Sequence, residues 1–96
     1  MIKVKTKSGF VIDVDENKAK DWRFTEALAD WQSDETAIVG LTVCLKFLLG
    51  DKGKKALMEH VTDENDFIPT ERMIEEFKEI LELLGEKVKK SESSQA

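Results

Sequence analysis

The chain has 96 residues, of which 41% are hydrophobic and 36% charged, and its formal net charge is −5. This composition predicts one soluble folded domain, because the chain is too short for two cores and too hydrophobic for wholesale disorder. The acidic balance argues against nucleic acid as a partner, since phosphate binding requires a basic surface. One cysteine and one histidine exclude an internal disulfide and a conventional zinc site.

The first fourteen residues alternate in hydrophobicity with a period of two. Two alternating runs joined through Ser8-Gly9 predict a β-hairpin over residues 1–14, with one apolar face. We expect this face to pack on helices, because an isolated hairpin is marginally stable in water. An edge of the hairpin offered to another subunit is the alternative. The inward positions are Ile2, Val4, Thr6, Phe10, Ile12 and Val14.

Helical periodicity follows the hairpin and predicts an α+β, mainly helical fold with about four helices. Asp15-Glu16-Asn17 is expected to cap the first helix, and Thr70 to cap the last. Residues 1–88 are predicted to form a single compact domain, and the polar residues 89–96 a disordered tail. The predicted helices cover residues 18–32, 36–49, 51–61 and 70–85.

The second predicted helix, residues 36–49, is expected to be the buried centre of the fold. Lys46 is its one charged residue, and at about 1.5 Å per residue the helix is too short to span a membrane. Gly40 predicts a close crossing with another helix, and Gly50 predicts the end of the helix. One apolar face and a second apolar flank predict that it is covered from several sides. These residues are Ile38, Leu41, Leu45 and Leu48, with Val39, Val43 and Phe47.

Residues 62–69 form the longest predicted loop. Its acidic residues lack the glycine and the distal glutamate of an EF-hand, so a calcium site is not expected. Phe67 and Ile68 are expected to pin the loop to the core. His60 is interpreted as an ordinary surface or half-buried histidine rather than a pH switch.

The sequence shows no signature of an enzyme and predicts no cofactor. Phosphate-binding glycine loops, metalloprotease motifs and nucleophile elbows are all missing from it. The acidic residues are spread over helix faces, where solvated charge is the ordinary explanation. On the last helix, the solvated face is assigned to Glu75, Glu76, Lys78, Glu79 and Glu82. The chain is therefore expected to be a binding or assembly protein.

Several short motifs together resemble the tail assembly chaperones of long-tailed, siphovirus-type bacteriophages. A hairpin precedes Asp21-Trp22 and the acidic segment 26–30, which is similar to the first helix of that family. The segment LKFLLG (residues 45–50) and the short helix after it resemble the family's hydrophobic helix, glycine and short helix. The run 67–70 leads into the final helix as in these chaperones. The resemblance covers residues 1–88.

The resemblance implies a partner and a location. Many copies would coat the apolar helical stripes of the tape measure protein, keep it soluble and help recruit tail tube subunits. A longer product of ribosomal frameshifting would bind the tail tube protein. Self-association through the hairpin edge or the last helix is also implied. The expected location is the cytoplasm of the host cell, in agreement with the absence of a signal-peptide pattern, and not the mature virion.

The expected mode of binding is an amphipathic target helix lying in an apolar groove. Broad apolar contact predicts that binding depends only weakly on salt. Simple core packing is the alternative role for each candidate groove residue. The candidates are Trp22, Phe24 and Trp31 on the first helix, and Phe77, Leu81 and Leu84 on the last.

Two other functions remain open from the sequence. The chain would act as a small acidic regulator or inhibitor if its carboxylates clustered on one face like phosphates, with strongly salt-dependent binding. Alternation of acidic residues with lysines, as in residues 76–78, argues against such a cluster. A structural connector of the phage tail is the third candidate, and it would be found in purified particles.

Overall fold

The computed structural model describes residues 1–93, with the backbone alone described over residues 89–93. The fold is α+β and mainly helical, as predicted: an N-terminal hairpin precedes three α-helices within the described residues. Three helices rather than four are counted because the predicted helices 36–49 and 51–61 follow one another directly, separated only by a kink at the non-helical Gly50. The elements are β1 (Ile2–Lys5), β2 (Val11–Val14), α1 (Trp22–Gln32), α2 (Ala37–Val61) and α3 (Thr70–Ser93).

The predicted hairpin forms, with Val4 opposite Ile12 and Ile2 opposite Val14. Gly9 adopts a φ of 96°, which a residue with a side chain rarely does, and it closes the turn by donating its N–H to the Thr6 carbonyl at 3.0 Å. Val4 and Val14 are buried while the lysines face solvent. The hairpin therefore covers the core with one face, as its period-two pattern predicts.

The first α-helix begins later than predicted. Residues Lys18–Lys20 form a 3-10 turn, and α1 starts at Trp22 with Asp21, not residues 15–17, as its N-cap. The Asp21 carboxylate accepts the Arg23 backbone N–H at 2.8 Å and also bonds the Arg23 guanidinium. These hydrogen bonds from Arg23 lower the pKa of Asp21 to about 2, so the cap stays ionised. A charged acceptor at this position fixes the helix start.

The glycines of α2 behave as predicted. Gly50 has φ 75° and ψ 172°, and it kinks the helix where the sequence predicts a break. At Gly40, the position of a Cβ atom would lie 2.2 Å from the Trp31 backbone nitrogen and 2.7 Å from the Ala27 carbonyl oxygen. Phe47 stacks near Phe24, at the opposite end of the contact, so α1 and α2 run antiparallel. The close crossing at Gly40 is confirmed.

The prediction that residues 36–49 are covered from several sides is wrong. Ile38, Val39 and Val43 are 63%, 62% and 46% exposed. The other side of the same helix is buried, through Gly40, Leu41, Cys44, Leu45 and Leu48. The physical reason is the small number of elements: α1, the hairpin and α3 cover one side of α2 only.

The core lies between the hairpin, the inner side of α2 and one stripe of α3. Its most deeply buried side chains include Phe77, Ile80 and Leu57, each with no exposed area. Cys44 is also fully buried, and burial, with a smaller effect of the Asp30 charge, raises its thiol pKa to about 11. This thiol is therefore a small apolar core group.

Helix α3 and the loop before it differ from the predictions. The helix includes Thr70, expected as its cap, and continues through Gly85 to Ser93, so residues 89–93 of the predicted disordered tail are helical; residues 94–96 lie outside the described residues. Phe67 and Ile68 are 68% and 40% exposed and do not pin the loop to the core. The loop is instead closed by Asp63, whose carboxylate accepts the Phe67 N–H at 3.1 Å.

Over the described residues, every helix is too short or too polar to cross a membrane.

Candidate functional site

The main concave surface is a groove between α1 and α3. Helix α1 packs along α2, whereas α3 packs on β1 and α2. A cavity of about 700 Å³ lies between α3, α1 and the segment before α1. A second cavity of about 370 Å³ continues along the same two helices, and Leu28 and Leu81 line both. We call this continuous surface the α1–α3 groove.

The walls of the α1–α3 groove are apolar. Phe24 and Leu28 come from α1, and Leu81, Leu84 and Val88 from α3. On α3, residues 81, 84 and 88 recur at the spacing of one helix face, and so do residues 24 and 28 on α1. Leu28, Leu81 and Val88 are half-buried, whereas Phe24 and Leu84 are only 3% and 2% exposed and belong to the core as well. The accessible apolar surface of the groove therefore comes mainly from half-buried side chains.

An aromatic pair lies at one end of the groove. The rings of Trp31 and Phe77 are 5.6 Å apart at a tilt of 32°, which is a favourable aromatic geometry. Phe77 is fully buried, whereas Trp31 is half-buried and lines the second cavity. The pair therefore joins α1 to α3 and offers one indole surface to the groove.

The rim of the groove carries charges of both signs. Among the described side chains, Glu16, Glu82, Glu86, Lys20 and Lys78 line the two cavities, and Glu16 pairs with the N-terminal ammonium at 3.3 Å. Glu82 and Glu86 on α3 favour apolar ligands with a basic flank, since opposite charges at a rim select partners and orient them. Pockets that bind ligands commonly combine apolar walls with a few polar groups in this way.

Four of the six candidate partner-binding residues lie in this groove. Phe24, Leu81 and Leu84 line its larger cavity, and Trp31 lines the smaller one with Leu81. Phe77 lies beneath Trp31 as part of the core. Trp22 is 71% exposed and lies outside the groove lining, so it is not an internal anchor.

A buried polar cluster that was not predicted from the sequence joins the hairpin turn to α2 and α3. Glu76, assigned to the solvated face, is only 5% exposed. It accepts a hydrogen bond from Thr6 Oγ1 at 3.0 Å and another from the Ser8 hydroxyl. The Ser8 Oγ also lies 2.9 Å from His60 Nε2. A sequence signal exists, because residue 76 falls on the same face as Met73, which lies three residues earlier, and as residue 80.

The Ser8–His60–Glu76 cluster does not have the geometry of a catalytic triad. In a triad, the carboxylate holds one imidazole nitrogen and the serine contacts the other. Here Glu76 Oε1 lies 3.8 Å from the same Nε2 atom that contacts Ser8. The Phe10 ring packs against the imidazole at 5.3 Å between centroids. The arrangement ties three elements together.

Within the part of the chain that the structure describes, histidine, cysteine and carboxylate side chains form no group that could hold a metal ion.

Comparisons of the chain with protein-family models, with curated proteins and with solved structures find no match.

Proposed function

We propose that this chain is a tail assembly chaperone that binds apolar helical stripes of a phage tape measure protein in its α1–α3 groove. The observation that carries the proposal is the groove itself, with its apolar walls. The resemblance of residues 1–88 to tail assembly chaperones supplies the identity of the partner.

The size of the groove supports a helical ligand. Helix α1 has 11 residues, which corresponds to about 16 Å at 1.5 Å per residue. One groove therefore covers about three turns of a bound helix, with anchors at the spacing of one face. A long target requires many copies of the chaperone, side by side, to shield its stripes from water.

The two carboxylates that α3 contributes to the rim narrow the choice of target segment. Apolar stripes flanked by lysine or arginine fit the groove best, because the rim carboxylates of Glu82 and Glu86 then face opposite charges. Exposed ion pairs contribute little to affinity, so the apolar contact supplies most of the binding energy. Binding should therefore persist at about 0.5 M salt, where exposed charges are strongly screened.

The wider role follows from the same proposal. The chaperone acts in the host cytoplasm, keeps the tape measure protein soluble until the tube forms around it, and is absent from the mature virion. A frameshifted longer product would add a region that recruits the tail tube protein. A structural connector is the competing role, and detection of the chain in purified particles would favour it.

Co-expression tests the proposal. The chain is tagged and produced with the long helical protein that the proposal expects to be encoded immediately downstream, followed by affinity capture and sedimentation. We expect capture of the long protein with many copies of the chain per molecule, and we expect the long protein to become soluble. An insoluble long protein and no capture would contradict the proposal.

Two groove variants locate the binding surface in the same assay. Leu81→Glu places a charge in both cavities, and Val88→Glu places one near the end of the groove, so capture should fall at least about tenfold. Val11→Glu is the matched control, because Val11 is an exposed valine on the hairpin. Circular dichroism checks that each variant folds. If Leu81→Glu does not fold, Val88→Glu still tests the groove. Equal capture by folded groove variants and control would rule out the groove.

A further inference from the structure

The outer side of α2 is an apolar surface that none of the described elements covers. Ile38, Val39 and Val43 lie there, each at least 46% exposed, together with the exposed Thr42. The Thr42 hydroxyl donates to the Ile38 carbonyl at 2.8 Å, so its hydrogen-bonding need is met within the helix. With Glu35 before it and Lys46 after it, this surface is called the α2 outer face.

The residues of the α2 outer face are arranged symmetrically in the sequence. The midpoint of the face lies between Gly40 and Leu41 on the helix axis. Ile38 and Val43 are equally far from this midpoint on either side, and so are Val39 and Thr42. Glu35, in the turn before α2, and Lys46 also lie at equal distances from the midpoint in the sequence, with opposite charges. The face is therefore complementary to itself when one copy is reversed.

We propose that the α2 outer face binds the same face of a second copy of this chain, with the two helices antiparallel. A twofold axis through the midpoint places Ile38 against the partner's Val43, and Val39 against the partner's Thr42. Each end then brings Glu35 beside the partner's Lys46, so one dimer contains two such ion pairs. Homodimer interfaces are commonly isologous in this way.

Charge and accessibility both support a second copy as the occupant. Both ends of a reversed pair match in charge, whereas a parallel pair would place Glu35 beside Glu35 and Lys46 beside Lys46. Lys46 is free to take part, since its contact with Asp51 is long, at 3.9 Å, and both side chains are exposed. The surface is small, so the dimer is expected to be weak and to dissociate on dilution.

The dimer does not depend on the proposed chaperone function. The α2 outer face shares no residue with the lining of the α1–α3 groove. Dimerisation therefore leaves both grooves open, and the test needs no tape measure protein.

Sedimentation equilibrium over a range of protein concentrations tests the surface. We expect the wild type to pass from monomer to dimer as its concentration rises. Val43→Asp should raise the dimer Kd by at least about tenfold, because the charge would be buried against the partner's Ile38. Val11→Asp is the control, since this valine is similarly exposed, at 49%, on the hairpin. A monomeric wild type, or a Val43→Asp variant that dimerises like the wild type, would overturn the proposal.

Charge reversal tests the antiparallel register. Glu35→Lys alone and Lys46→Glu alone each place like charges together at both ends, and each should raise the dimer Kd by about three- to tenfold at low salt. An equimolar mixture of the two variants restores opposite charges at both ends, so dimerisation should recover as a heterodimer. Failure of the mixture to recover would contradict the antiparallel arrangement.

Discussion

Gly40 sets the distance between the two most closely packed helices. A Cβ atom there would lie 2.2 Å from the Trp31 backbone nitrogen and 2.6 Å from the Asp30 carbonyl carbon. Both atoms belong to the backbone, so a side-chain rotation cannot relieve the contact. The absence of a side chain at residue 40 is what lets α1 lie directly on α2, and this placement also fixes one wall of the groove.

Substitution of Gly40 tests this account of the helix crossing. Gly40→Ala should lower the free energy of unfolding by about 3 kcal/mol or more, because overpacking against backbone outweighs the better helix propensity of alanine. Gly85→Ala is the control, since a Cβ atom there would meet open space beyond its own helical turn, and it should stabilise α3 by up to about 1 kcal/mol. Urea unfolding monitored by circular dichroism measures both. Equal effects of the two substitutions would contradict the close crossing.

Cys44 gives the fold a dependence on alkaline pH. In the unfolded chain its thiol ionises near pH 9.0, whereas in the folded chain burial keeps it protonated up to a pKa of about 11. The unfolded state therefore loses this proton first, and the free energy of unfolding should fall as the pH rises from 9.0 to about 11. Below this window the thiol makes no pH-dependent contribution.

Comparison with Cys44→Ala isolates the thiol from the lysines, which titrate in the same range. Chemical unfolding is measured at several pH values for both proteins. The fall in stability with pH should be steeper for the wild type than for the variant. Parallel curves would show that the thiol is not held protonated in the folded state.

At the level of elements, α2 shows how far hydrophobic periodicity predicts burial. Residues 36–49 are apolar on nearly every side, so the pattern identifies a helix and the inner stripe through Leu41, Leu45 and Leu48. It does not show that Ile38, Val39 and Val43 are exposed, because an apolar residue looks the same in sequence whether or not another element covers it. Coverage depends on the number of packed elements, which is a tertiary property. The break at Gly50 was predictable, since glycine tolerates a positive φ.

The buried side chain of Glu76 connects α3 to the hairpin. Its carboxylate accepts a hydrogen bond from the hydroxyl of Thr6, and Thr6 is only 2% exposed. Glu76→Leu should lower the free energy of unfolding by about 1–3 kcal/mol, because the Thr6 donor loses its acceptor in a buried site. Glu76→Gln keeps an acceptor oxygen and should cost clearly less. Thermal unfolding of the two variants decides the point, and an equally stable Glu76→Leu variant would show that the bond contributes nothing.

At the level of the whole molecule, the candidate site was only partly predictable. The stripes on α1 and α3 identified Phe24, Trp31, Leu81 and Leu84, because helical spacing places each on an inward or bordering face. The spacing did not separate Phe77, which is core, from Leu81, which lies in the groove. That distinction depends on how α1 and α3 pack on the rest of the fold, which helical spacing does not show. The exposure of Trp22 follows from the start of α1 directly after Asp21. The sequence predicts an earlier start for this helix.

The measurement that tests the central claim most directly uses Trp31 as a reporter in the groove. The chain has two tryptophans, so Trp22→Phe leaves Trp31 alone, and this variant is titrated with a tape measure fragment that carries an apolar helical stripe. Binding in the α1–α3 groove predicts a shift of Trp31 emission to shorter wavelength and protection from acrylamide, both abolished by Leu81→Glu. A fragment that binds with no change at Trp31, or that fails to bind, would contradict the account.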